Sequence, residues 1–338
     1  MVIEPEFELC ATSKRTIADY SMAELSSEID LGNEEALRIF NEIWAKEMLV
    51  KKIRHLPGGH DQKTHGSGGG GGSKKARPGM GDIKITNEAA ADMIKGSGGA
   101  YLQKNAQGEW EFTPERQALH DKIVEDAVTG IPKSDDPTVY MLGGGPATGK
   151  STNRRNGIDG IPKENSGLAV DVNPDDYKKA LPEYNLTNEI DRAPFTHEES
   201  SYLSKRVTSA AMERKQDIVL DAVGDSGTRK IQAKIDTAKS NGYKVKATYL
   251  TRPTSVALAG NIARARTEGR LVHALELKKL HVGVSEAIPK VAKNFDSFNL
   301  YDTVNGRNLI ATGGNGVLNI IDQGAYDAFV AKANEPIF

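Results

Sequence analysis

The sequence predicts an α/β protein: a parallel sheet with helices on both faces, preceded by a short helical N-terminal segment and a flexible glycine-rich linker. Three observations carry this. From Gly81 to Phe338 short β-rich runs alternate with helical patterns, which is how parallel strands and their crossover helices read. Residues His55 to Met80 have the composition of a flexible coil. Residues Met1 to Arg54 are acidic and apolar at helical spacing.

In the first segment, Ser21 with Glu24 forms a capping-box pattern, and Asn33 is placed to cap the next helix. Leu37, Phe40, Trp44 and Met48, with Ile39 and Ile43, give that helix a broad apolar face. A segment this short cannot bury the face alone, so it must pack on the rest of the chain, on a copy of itself or, as a docking segment, on another protein. In the linker, His55, His60 and His65 recur every five residues. A floppy loop gives three histidines no fixed geometry, so they are read as solvated rather than metal-binding.

In the third segment, a helical stretch from Pro114 to Ala127 leads into the apolar run Thr138 to Leu142. Further β-rich runs are Leu168 to Val172, Ile218 to Asp221 and Lys244 to Leu250. Helical patterns span His197 to Arg214, Thr228 to Asn241 and Thr254 to Thr267. Turn signals at Asn305-Gly306 and Gly313-Gly314, an apolar run from Val317 to Ile321 and a helix from about Gly324 complete the chain.

Composition narrows the function classes. Lys+Arg number 44 and Asp+Glu 46, a balance that argues against a mainly electrostatic nucleic-acid binder. The single cysteine, Cys10, removes any internal disulfide framework. The start MVIEPEFELC is acidic where a secretory signal would be basic and then apolar, and no run of about 18 apolar residues suggests a membrane span. The expectation is a soluble protein of a reducing compartment, the cytoplasm, with no membrane partner.

The strongest chemical signal is MLGGGPATGKST, Met141 to Thr152, which satisfies G-x4-G-K-[ST]. Glycines let the backbone turn so that successive N–H groups of Gly144, Gly145, Pro146's neighbours Ala147 and Thr148, and Gly149 can face phosphate oxygens. Lys150 places a cation on the β- and γ-phosphates, Ser151 offers a hydroxyl to Mg²⁺, and Thr152 follows in the first helical turn. ATP or GTP with Mg²⁺ is the expected cofactor pair. Gly157 follows so soon that this helix either tolerates a glycine or is short.

Phosphoryl transfer further needs a base and charge-stabilising cations. Asp171, Asp175 and Asp176 lie at or just past the second strand's carboxyl end, the edge where open α/β sheets bind ligands. Asp176 is read as a helix cap and Asp175 as functional. Asp221, in DIVLDAVG, stands where a carboxylate can hold the metal's water. Arg264 and Arg270 flank a Glu-Gly break in the manner of a lid over phosphates, whereas Arg266 reads as a solvated position.

These motifs resemble the zeta toxin family of P-loop kinases from Met141 to about Asp302. The match rests on the phosphate loop, on D-D-Y-K-x-x-L-P-x-Y from Asp175, on I-V-L-D-A-V-G from Ile218, and on P-x10-R with a second arginine six positions further. Asn173-Pro174 stand as an insertion between the strand and Asp175. The resemblance implies a P-loop kinase-like fold and ATP-dependent phosphorylation of a sugar hydroxyl on a nucleotide sugar such as UDP-N-acetylglucosamine. It implies Asp175 as base, Arg264 and Arg270 as phosphate arginines, and Glu199, or else Glu198, as a substrate contact. An antitoxin partner is implied too. RHLPGGHDQKTHG, Arg54 to Gly66, is similar to a segment of bacteriophage head-associated proteins, so a virion-associated structural or interaction protein with a regulatory or vestigial nucleotide site is the alternative. Polynucleotide and antibiotic kinases, which share the core, are a further one.

Overall fold

The computed structural model describes residues 83–97, 101–185, 196–223, 227–268, 272 and 274–335. The N-terminal segment, the linker, the histidines at 55, 60 and 65, and Arg270 lie outside these residues.

The described chain opens with helix α1 (Asn87–Ser97) and a small hairpin, β1 (Leu102–Lys104) with β2 (Trp110–Phe112). Helix α2 (Pro114–Val128) follows. Its start is dictated locally: the Thr113 hydroxyl accepts from the Arg116 N–H, Pro114 needs no N–H partner in the first turn, and Glu115 faces the positive helix end.

The main sheet is built from β3 (Thr138–Gly144), β4 (Val170–Val172), β5 (Ile218–Val223), β6 (Lys244–Thr251), β7 (Ser297–Asp302), β8 (Asn308–Gly314) and β9 (Val317–Ile320), in the order β4-β5-β3-β6-β7-β8-β9. The pairs from β4 to β7 are parallel, and β8 and β9 extend the sheet antiparallel. The parallel strands are bridged by helices: α3 (Lys150–Arg155) and α4 (Pro174–Ala180) to either side of β4, α5 (His197–Glu213) before β5, α6 (Gly227–Ser240) before β6, then α7 (Thr254–Glu268) and α8 (Ala274–Val291) before β7. Helix α9 (Gln323–Val330) is capped by the Asp322 carboxylate, which accepts from the Ala325 N–H.

Alternation along the strands divides the core. Val139 and Met141 of β3, Ile218 and Leu220 of β5, and Val245, Ala247 and Tyr249 of β6 pack against Val124 and Val128 of α2, Leu203 and Val207 of α5, Ile231 and Ile235 of α6, and Val284 and Ile288 of α8. Leu142, Val219 and Leu250 point to the other face, where Ile158, Ile161 and Ala169 cover them. The expected α/β layering is therefore present, with unequal faces: long helices cover one, and the loop following the six-residue α3 covers the other. Gly157, at φ 79°, ends α3, which resolves the choice the sequence left open in favour of a short helix.

The consequence for function is geometric. Gly144, Val172, Val223, Thr251 and Asp302 all end parallel strands, so every segment that follows them starts at one edge of the sheet.

Candidate active site

The phosphate loop begins where β3 loses register with β5, between Met141 and Gly143. Gly144 adopts φ 133°, and a Cβ there would lie 2.3 Å from the Leu250 carbonyl oxygen, so only glycine lets the loop pass β6. Gly149, at φ 83°, stands at the N-cap of α3. Thr148 is fully buried, and its hydroxyl donates to the Gly145 carbonyl at 2.9 Å. The Lys150 ammonium donates to the Gly144 and Gly145 carbonyls at 2.9 and 3.1 Å. A cation is thereby held inside the curve of the loop, beside the start of α3.

The loop is pinned from both neighbouring strand ends. Thr303, just past β7, donates its hydroxyl to the Thr148 carbonyl at 2.9 Å. Arg252, just past β6, donates from Nε to the Thr303 hydroxyl and from Nη2 to the Thr303 carbonyl, both at 3.1 Å. Burial lowers the Arg252 pKa from its ordinary value. Its Nη2 would lie 3.2 Å from a Cβ on Gly149, so this guanidinium sits against the loop. Sequence reasoning missed Arg252 and Thr303. For Arg252 the signal was its place just after the β-rich run Lys244 to Leu250, whereas Thr303 follows β7, which no sequence pattern marked.

An open cleft of about 2000 Å³ runs along the carboxyl edge of the sheet. Lys150, Ser151, Asp175, Asp221, Glu198 and Arg252 all line it. The inserted Asn173-Pro174 account for the placement of Asp175: Asn173 caps α4 by accepting from the Asp175 N–H at 3.1 Å, and Pro174 fills the first helical position. Lys178, largely buried, pairs with Asp175 at 3.1 Å and fixes that carboxylate at the cleft wall. The cap is thus Asn173, not Asp176 as expected. Asp176 instead accepts from the Asn173 amide and pairs with Lys179. Asp171 is engaged as well, with Arg154 and the Asn165 N–H.

The preference for Glu199 over Glu198 is reversed by the geometry. Glu199 is 4% exposed, and its carboxylate accepts from Arg116 Nε and Nη2 at 2.6 and 2.8 Å and meets His120 Nε2 at 2.6 Å. Arg116 also bonds Glu183 at 3.0 and 2.8 Å. Burial alone would raise the Glu199 pKa; its hydrogen bonds to His120 and Arg116 outweigh that and lower it. Helical periodicity explains the divergence, because adjacent positions point about 100° apart. Glu198 faces the cleft while Glu199 faces α2.

Arg264 and Arg266 belong to α7, but their side chains, like Arg270, lie outside the described residues. The buried Asn261 amide accepts from the Val272 N–H at 3.2 Å and donates to the Val272 carbonyl at 2.7 Å, so positions 261 and 272 are tied together.

Among the described residues no three His, Cys, Asp or Glu side chains form a cage for a metal ion. An exposed hydroxyl at Ser151 and a half-buried carboxylate at Asp221 are instead the sparse oxygen donors that suit Mg²⁺, which keeps waters and phosphate oxygens in its shell. No helix among the described residues is long and apolar enough to cross a membrane.

Comparison with known proteins agrees with this fold. A model of the family described as Zeta toxin matches residues 121–312, more than half of the chain. The chain is 26% identical over 152 residues to toxin zeta of Streptococcus pyogenes, and equally to toxin zeta of Enterococcus hirae. Each alignment covers 44% of this chain and 51% of the relative, so the chain spans about half the length of the curated relatives it matches. Among solved structures, a chain of the AvrRxo1-ORF1:AvrRxo1-ORF2 complex with ATP has a TM-score of 0.55 at 22% identity, covering 65% of this chain and 74% of that one. The same complex with sulphate ions gives 0.56 over the same shares. These structures share the fold. The matched residues do not reach Arg54 to Gly66, so the resemblance to phage head-associated proteins gains no support.

Proposed function

We propose that this chain, which belongs to the zeta toxin family, is a kinase that transfers the γ-phosphoryl group of ATP to a hydroxyl of a nucleotide sugar such as UDP-N-acetylglucosamine. One observation carries the reading: the phosphate loop with Lys150, the carboxylates of Asp175 and Asp221, and Glu198 line a single cleft. A solved chain of the same fold was crystallised with ATP, which supports ATP as the donor.

The loop N–H groups and Lys150 hold the β- and γ-phosphates, and Ser151 with Asp221 would hold Mg²⁺. Bound there, the ion would offset charge on the phosphate oxygens. Asp175 takes the acceptor hydroxyl's proton while that oxygen bonds to the γ-phosphorus and the bond to the β–γ bridging oxygen breaks, releasing ADP. Arg264 and Arg270 are assigned to the phosphates, and Glu198, in place of Glu199, to an acceptor hydroxyl. Lys178, Lys179 and Lys205 line the same cleft, which suits an acceptor that itself carries phosphates. A protein partner that restrains the enzyme, an antitoxin in function, is proposed from the family and from the two-protein complex in which the similar fold was solved.

The test is ATP consumption across a panel of nucleotide sugars, with mass spectrometry of products and Lys150→Ala as control. A new phosphate on one sugar nucleotide, lost in the control, supports the kinase and identifies its acceptor. ATP binding without phosphorylation of any nucleotide sugar, antibiotic or polynucleotide end would sink the kinase reading and favour a binding role.

A further inference from the structure

The phosphate loop rests on a histidine that the proposed chemistry does not use. His281 projects from α8, and only 2% of the residue is exposed. Its Nε2 lies 2.9 Å from the Pro146 carbonyl oxygen. A Cβ on Gly145 would lie 2.3 Å from the ring's Cδ2 and 2.4 Å from Nε2. The loop therefore passes directly over the imidazole, with no room for a side chain between them.

Chemistry fixes how the ring is used. Burial pushes its pKa down to about 4, so the ring is neutral at physiological pH and has one N–H. A carbonyl can only accept, so that proton is on Nε2 and is donated to Pro146. Three successive carbonyls of the loop thereby have donors: Gly144 and Gly145 from Lys150, and Pro146 from His281. Lys150 must give up its two when it turns to a phosphate. The His281 bond does not depend on Lys150 and stays in place, and a neutral donor adds no second cation competing for the phosphates.

The support is itself anchored. Lys278, one turn before His281, donates to the Glu335 carbonyl at 2.6 Å. Lys332 donates to the Arg252 carbonyl at 2.6 Å and to the Glu335 carboxylate at 2.8 Å, and that carboxylate accepts from the Thr254 N–H at 2.8 Å. The helix carrying the ring is thus fastened to the same segment that pins the loop from the other side.

We propose that His281 is a positioning residue for nucleotide binding: its ring sets the path of Gly145 and Pro146 by filling the space beneath one and hydrogen-bonding the other. This rests on the kinase reading of the loop. The test is a double-mutant cycle in full-length protein, with ATP affinity measured by titration calorimetry in the presence of Mg²⁺. Gly145→Ala and His281→Ala are each expected to weaken ATP binding about tenfold. The double variant is expected to bind ATP more tightly than Gly145→Ala alone, because removing the ring makes room for the new methyl group. His281→Gln, which keeps a distal N–H donor, should lie closer to wild type in KM for ATP than His281→Ala, with kcat within about twofold for both. Additive losses in the double variant, or wild-type affinity in His281→Ala, overturn the inference while leaving the kinase reading intact. A wild-type protein that binds no ATP overturns both.

Discussion

Arg116 holds the carboxylate of Glu199 through two of its nitrogens, Nε at 2.6 Å and Nη2 at 2.8 Å, with both side chains buried. This pair joins α2 to the start of α5, the helix whose adjacent position presents Glu198 to the cleft. Burying two charges is costly, and the cost is offset only because Glu183 and His120 complete the network. The pair therefore fixes the helix.

Removing one partner leaves the other charge buried and uncompensated. Glu199→Ala should destabilise the fold by about 3–5 kcal/mol, lowering the thermal midpoint by roughly 10 °C. Glu198→Ala should change stability by less than about 0.5 kcal/mol and instead raise the KM for the acceptor. A stable Glu199→Ala protein with impaired acceptor binding would restore Glu199 to the substrate site.

The loop glycines are not equivalent. At Gly144 an alanine meets the backbone of β6 and an unfavourable φ, so Gly144→Ala should cost about 2–4 kcal/mol and abolish ATP binding. Gly260, in α7, is the contrast: its new Cβ would make an ordinary contact, 3.7 Å, with Ala147. Gly260→Ala should be neutral or stabilising by up to about 1 kcal/mol. Denaturant midpoints together with calorimetry of ATP binding separate the two cases.

The depressed pKa of His281 makes stability depend on pH with a defined sign. The unfolded chain binds this proton near pH 6.5 and the folded chain only near 4, so the stabilisation is complete above 6.5 and is lost as pH falls toward 4. Lys332 and Lys150 oppose protonation, Glu335 and the Pro146 carbonyl favour it, and burial outweighs them all. The loss should approach about 3 kcal/mol at the acid end. Glu199 and Glu183, whose pKa values are lowered, lose their contributions only below the ordinary carboxylate range. Urea midpoints of wild type and His281→Gln between pH 7 and 4.5 isolate the effect, and parallel curves would refute it.

Much of this was legible in the sequence because the informative features are local. The β3 run, the glycine loop and the helix at Pro114 each carry their own signals: an apolar run, a G-x4-G-K-S spacing, and a Thr-Pro-Glu start. Helix α8 was not predicted, since Gly283 and Pro289 interrupt it and its buried positions include His281 and Ser285. Strand β7 was hidden by the polar residues Ser297, Asn299 and Asp302, which alternate with Phe298 and Leu300. What no local pattern could reveal was pairing across the chain. Arg116 meets Glu199 across 83 positions and His281 meets Pro146 across 135. Glu199 was therefore placed by the family resemblance alone, and His281 was not singled out.

The Arg252–Thr303–Thr148 chain links two strand ends to the loop through side-chain bonds that a small substitution can break. Thr303→Val keeps the shape but removes both the donor to Thr148 and the acceptor for Arg252 Nε. ATP affinity should fall about three- to tenfold, with the fold retained by circular dichroism. Unchanged affinity would mean that the loop holds its shape without this chain.

The sharpest test of the chemistry lies at Asp175, because its replacement can be isosteric. Asp175→Asn keeps the N–H that Asn173 caps and still offers an oxygen to Lys178. Helix α4 should hold, and ATP affinity should stay within about twofold, since the phosphate loop belongs to β3 and α3. What is lost is a carboxylate able to take the acceptor's proton, so turnover should fall by about 10²–10⁴. Binding and turnover must therefore be measured on the same preparation. Loss of both would indicate a collapsed cleft wall, whereas undiminished turnover would remove Asp175 from the mechanism and direct attention to Asp221, another carboxylate that lines this cleft.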